Sequence, residues 1–117
     1  MANPFPAEAY ASALRAAKPT KGQLAMLRVH YAAPARVVSY RELAGAAGYQ
    51  SADAAHLQYG TYARRVAQWL KIKPHYWVNA IADDVMGTQG RPFRLRMRPE
   101  AAAGLESLGW VMAKRSA

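Results

Sequence analysis

Four side chains able to hydrogen-bond the edges of bases, Gln50, Ser51, His56 and Gln58, fall within one short stretch, with Arg64 and Arg65 following. A glutamine amide can bond adenine through two hydrogen bonds, an imidazole can donate to or accept from guanine, and a guanidinium neutralises phosphate. Asp53, in the same stretch, can accept from cytosine, although stabilising the positive end of a helix is its simpler use. Arg41 lies upstream, with Lys21 and Arg28 before it, all suited to phosphate contact. Tyr49 is placed to touch a base or a phosphate. Further on, Arg94, Arg96 and Arg98 alternate with apolar residues, and Arg91 precedes them at a position suited to the minor groove or to phosphate. Any one of these basic residues can equally be a solvated surface group, so the reading depends on several sharing a face.

The balance of charge agrees with this chemistry. Sixteen Lys and Arg against seven Asp and Glu give a formal charge of +9 and an isoelectric point near 10.3. Such a charge favours a polyanion, nucleic acid first and an anionic membrane surface second. Other chemistries lack their residues. Cysteine is absent, which removes disulfides, thiolate zinc sites and thiol nucleophiles together. His30, His56 and His75 lack the close spacing and carboxylate neighbours of a metal motif. There is no Gly-rich phosphate loop or nucleophile elbow, and the adjacent Asp83 and Asp84 are best read as turn residues of a loop. The expectation is therefore a protein that is not an enzyme and needs no cofactor or metal.

The elements that would hold these residues can be read from spacing and punctuation. The 117 residues, 52% hydrophobic and 20% charged, suit one domain over 1–117. "PAEAYASALRAAK" is a short amphipathic helix ending before Pro19. Thr20 caps "KGQLAMLRVHY", with Leu24, Leu27 and Tyr31 on its buried face. Pro34 interrupts, and "RVVSY" supplies a short strand. Ser39 followed by Glu42 is a capping box that starts a helix at Tyr40, and Gly48 ends it. Ser51 caps the next helix, whose buried stripe is Ala55, Tyr59, Tyr62, Val66 and Leu70. Gly60 inside it predicts either a close neighbour or a bend, leaving a helix in two pieces. Past Pro74, "HYWVNAI" reads as a strand, "ADDVMGTQGR" as a hairpin loop, and "PFRLRMR" as a second strand with Phe93, Leu95 and Met97 inward. A last helix runs from Pro99 to Gly109, with Trp110 as an anchor. Most of the aromatics, among them Tyr59, Tyr62, Trp69, Tyr76 and Trp77, are expected in the core.

In sequence this order is helix, helix, strand, helix-turn-helix, strand, basic hairpin, strand, helix. It specifies an α+β winged helix-turn-helix of about five helices and a small three-stranded antiparallel sheet. "VVSYRELAGAAG" resembles the opening of the DNA-binding domain of the O6-alkylguanine DNA alkyltransferase family, in its strand, its Tyr, its Glu-Leu-Ala helix and its Gly turn. That family's activity resides in a Pro-Cys-His-Arg motif, whereas this chain has "KPHYWV", so alkyl transfer to a thiol is excluded. "LRVHYAAP", "AAHLQYG" and "MRPEAAAGLESLGWV" are similar to a bacterial domain found alone and fused to nucleases, which implies contact with nucleic acid. The expected function is binding of duplex DNA, with the helix after Ser51 in the major groove and the hairpin as a wing. The rivals are a protein-interaction module of a bacterial complex and a reader of a modified base accompanying a nuclease. A homodimer through the N-terminal helix, or an associated DNA-processing partner, fits either. No run is long and apolar enough to cross a membrane, and the start lacks a secretory pattern, so the cytoplasm is the expected location.

Overall fold

Three hydroxyl side chains set the helical frame. Thr20, Ser39 and Ser51 each accept from the backbone N–H three residues on, and Thr20 and Ser39 complete reciprocal capping boxes with Gln23 and Glu42. The computed structural model describes residues 6–85 and 94–112. It contains α1 (Ala7–Ala16), α2 (Lys21–Ala32), β1 (Val37–Val38), α3 (Tyr40–Ala47), α4 (Ala52–Leu70), β2 (Ala82–Val85), β3 (Arg94–Met97) and α5 (Pro99–Leu108), with short 3-10 turns at Pro34–Arg36 and Trp77–Ala80. The sheet order is β1-β3-β2, antiparallel throughout. This is the α+β, winged-helix-like arrangement of five helices and a small three-stranded sheet expected from the sequence.

Tyr10, Leu14, Met26, Leu27, Leu43, Tyr59, Tyr62, Ile81, Leu95, Met97 and Leu105 form one core. Large phenol rings can fill it because their hydroxyls find carbonyls: Tyr10 donates to Ala80 O at 2.8 Å and Tyr62 to Leu14 O at 2.7 Å. The first bond ties α1 to the turn before β2, and the second ties it to α4. Gly104 lets α5 lie against α1, since a Cβ there would stand 2.9 Å from the Ala11 backbone nitrogen.

Two expectations change. The strand expected in "HYWVNAI" is instead a 3-10 turn over Trp77–Ala80, and the strand lies in Ala82–Val85, within the expected loop. Asn79 explains the shift. Its Oδ1 accepts from Tyr76 N at 3.1 Å and its Nδ2 donates to Ala82 O at 3.1 Å, closing a local turn that competes with extension. Asp83 and Asp84 consequently sit in β2: Asp83 pairs with Arg98 at 3.2 Å, and Asp84 accepts from Asn79. Gly60 is the second correction. The helix α4 runs unbroken from Ala52 to Leu70, and a Cβ on Gly60 would meet nothing within 4 Å.

Among the described residues Lys18, Ala35, Arg36 and Lys71 hold left-handed φ without being glycine, and Ala35 and Arg36 are the adjacent pair. Their φ values are 55° and 58°, each at a cost of roughly 1–2 kcal/mol for an L residue. Contacts of Arg36 hold the conformation: its Nη1 donates to Tyr31 O at 3.0 Å, its guanidinium lies 4.2 Å from the Tyr31 ring centroid, and Nη2 is 3.8 Å from Glu106. The Tyr31 hydroxyl also donates to Glu106.

Candidate nucleic-acid interface

The turn that aims α4 begins at Gly48. Its φ of 78° is left-handed, and Tyr49 N returns to Ala44 O at 2.9 Å, so the chain leaves α3 at a fixed angle. Tyr49 itself is half-buried and packs against the core, with its hydroxyl against Gly22 of α2. It therefore braces the turn. Gln50, Ser51 and Asp53 are exposed at the start of α4, and the Ser51 hydroxyl caps it by accepting from Ala54 N at 3.1 Å.

The buried stripe of α4 is Ala55, Tyr59, Tyr62, Ala63, Val66, Ala67 and Leu70. Its far side divides the other candidates into two groups. On one flank Gln23, itself 1% exposed, donates to Gln58 O at 3.0 Å and accepts from Arg65 at 3.1 Å. Arg65 remains exposed, but its guanidinium is tied to α2 at one nitrogen, and Gln58 is half-buried. On the other flank His56, Leu57, Gly60, Thr61 and Arg64 line a groove of about 370 Å³ whose opposite wall is Tyr76, Trp77 and Val78. The Arg64 guanidinium lies 5.4 Å from the Trp77 ring centroid. His56 meets the edge of Tyr40 at a centroid distance of 4.8 Å, which joins α3 to this wall.

The sheet carries a separate set. Arg94 and Arg96 are exposed on β3, as the alternation predicts, with Leu95 and Met97 buried. Arg98 is half-buried, pairs with Asp83 and donates to Asn79 O at 2.9 Å, so it fastens the sheet to the preceding turn. Arg96 borders a second cleft with Arg36, Pro99 and Glu106. Arg41 is exposed in the first turn of α3, and Lys21 and Arg28 are exposed on α2, where Arg28 donates to Trp110 O at 2.9 Å. Arg91 and Phe93 lie outside the described residues.

The aromatics also divide. Tyr59 and Tyr62 are fully buried, as expected, and Tyr49 and Trp110 are half-buried. Trp69, Tyr76 and Trp77 are 50%, 61% and 41% exposed, contrary to a core role. The groove residues Leu57, Gly60, Thr61, Tyr76 and Trp77 were not among the candidates read from the sequence. Leu57 carried a signal: it is a large apolar residue that falls off the buried stripe of its own helix. Among the described residues no cluster of His, Cys, Asp and Glu could hold a metal ion, and no helix is long and apolar enough to cross a membrane. Comparison of the chain with protein-family models, curated proteins and solved structures finds no match.

Proposed function

We propose that this chain binds duplex DNA, with the N-terminal half of α4 in the major groove and the β2–β3 hairpin as a wing, and that it acts as a binding protein rather than an enzyme. The observation that carries the reading is the exposed start of α4, presented after a glycine turn, on a chain of net charge +9. Gln50 and His56 are the base-reading side chains of this proposal, and Arg41, Arg64 and Arg65 neutralise phosphates. Arg94 and Arg96 extend the basic surface along the wing strand. Such a protein would work in the cytoplasm as a regulator or as the reader of a DNA-processing system.

The test is a titration of labelled protein with a random-sequence duplex, following backbone amides at about 50 mM and about 200 mM salt. Shifts confined to residues 40–65 and 82–98 that weaken with salt are the expected result. An unchanged spectrum at low salt overturns the proposal. A protein-interaction module is the second reading, favoured by the exposure of Trp69, Tyr76 and Trp77.

A further inference from the structure

Leu57, the sixth of the nineteen residues of α4, is 64% exposed on its outward face. The exposed carboxylate of Asp53 stands one turn before it, and the side toward Thr61 and Gly60 is less polar. The Thr61 hydroxyl is engaged by Leu57 O at 2.8 Å, Gly60 offers no side chain, and Tyr76 and Trp77 stand across the groove. No neighbouring atom demands glycine at position 60, since a Cβ there would meet open space. Yet glycine costs helix stability relative to alanine. Its effect is to keep the surface beside Leu57 low, where another molecule can approach the backbone.

The face that would enter the major groove thus carries an apolar patch at Leu57, bordered by the carboxylate of Asp53, the guanidinium of Arg64 and the imidazole of His56. The major-groove edge of DNA presents hydrogen-bonding groups at every base pair and a single kind of apolar group, the methyl on pyrimidine C5. We infer that Leu57 is a specificity-determining residue that reads C5-methyl pyrimidines in duplex DNA, while Arg64 beside it keeps its phosphate contact. This rests on the proposed DNA-binding function. The methyl can come from thymine or from 5-methylcytosine, and both present it at the same place on the groove edge.

The test uses one random-sequence duplex library copied into four pools: thymine with cytosine, uracil with cytosine, thymine with 5-methylcytosine, and uracil with 5-methylcytosine. Replacing thymine by uracil removes the methyl and leaves the hydrogen-bonding edge unchanged. The parent protein is expected to prefer a methyl-bearing pool by about fourfold for each methyl buried. Leu57→Ala is expected to bind all four pools with equal affinity, while Leu57→Met keeps the preference for methyl-bearing pools. Because Leu57 is exposed, both variants are expected to fold, which circular dichroism checks. A preference in the thymine–cytosine pool assigns the methyl to thymine, and one in the uracil–5-methylcytosine pool assigns it to 5-methylcytosine. Equal affinity for all four pools overturns the inference while DNA binding stands. A preference that survives in Leu57→Ala overturns the role of Leu57, and binding to no pool overturns both readings.

Discussion

His30 shows how a single residue can join the helices to the sheet. Its ring is fully buried, with Nε2 2.9 Å from Leu95 O on β3 and Nδ1 2.8 Å from the Tyr59 hydroxyl on α4. A carbonyl only accepts, so Nε2 carries the proton and the Tyr59 hydroxyl donates to Nδ1. Burial holds the imidazole down to about pH 4 in its titration, although the Leu95 and Arg36 carbonyls pull the other way. The unfolded chain therefore takes up a proton between about pH 6.5 and pH 4 that the folded chain refuses, and stability falls as pH falls through this window. The shift corresponds to about 3 kcal/mol. Urea unfolding of the parent and of His30→Gln at pH 7 and near pH 4 checks it. The variant is expected to be less stable at pH 7 by about 1–2 kcal/mol, with the deficit shrinking or reversing near pH 4; a gap constant with pH would refute the assignment. Tyr59→Phe leaves Nδ1 buried without its donor, and calorimetry is expected to show a loss of about 1–3 kcal/mol at neutral pH. The burial of His30 and Gln23 was not legible in the sequence. Their partners lie at Leu95, Gln58 and Arg65, and no local spacing reports a contact across that much chain.

The elements themselves were legible wherever a side chain acts on its own backbone. Thr20, Ser39, Ser51 and Gly48 mark helix ends because each satisfies or turns backbone groups within a few residues. The strand after Pro74 was misplaced because β-branched and aromatic composition favours extension, whereas the two Asn79 hydrogen bonds decide for a turn. Glycines are where sequence alone misjudges most. Gly104 and Gly60 look alike as helix-interior glycines, yet one is a close helix crossing and the other faces open space. Gly104→Ala drives a methyl into the Ala11 backbone and is expected to cost about 1–3 kcal/mol. Gly60→Ala is expected to stabilise α4 by up to about 1 kcal/mol. Thermal unfolding of the two variants separates them, and a shared sign would show that one of the two packing descriptions is wrong.

At the scale of the molecule, the net charge of +9 does not describe where the charge can act. Arg98 is committed to Asp83 and Asn79, and Arg36 to Tyr31 and Glu106, so these two guanidinium groups maintain the fold. Arg64 and Arg41 stand exposed on the helix-turn-helix, while Arg65 is exposed but anchored through Gln23. That distinction predicts different signatures for arginines the sequence makes equivalent. Each phosphate neutralised on a duplex contributes about −0.9 to the slope of log K against log salt concentration. Arg64→Ala is expected to weaken binding to every sequence and to flatten that slope by about one phosphate contact. Arg65→Ala is expected to flatten it similarly while also lowering the unfolding midpoint, because Gln23 loses a partner. Arg98→Ala is expected to lower stability and leave the slope unchanged. Gln50→Ala and His56→Ala are expected to change which sequences are preferred more than total affinity, since base contacts carry sequence information and phosphate contacts do not. Anisotropy titrations of the five variants over a range of salt, each paired with a melting curve, supply the comparison. If Arg98→Ala flattens the slope as much as Arg64→Ala does, the DNA lies on the sheet side of the molecule and α4 is not the groove-reading helix.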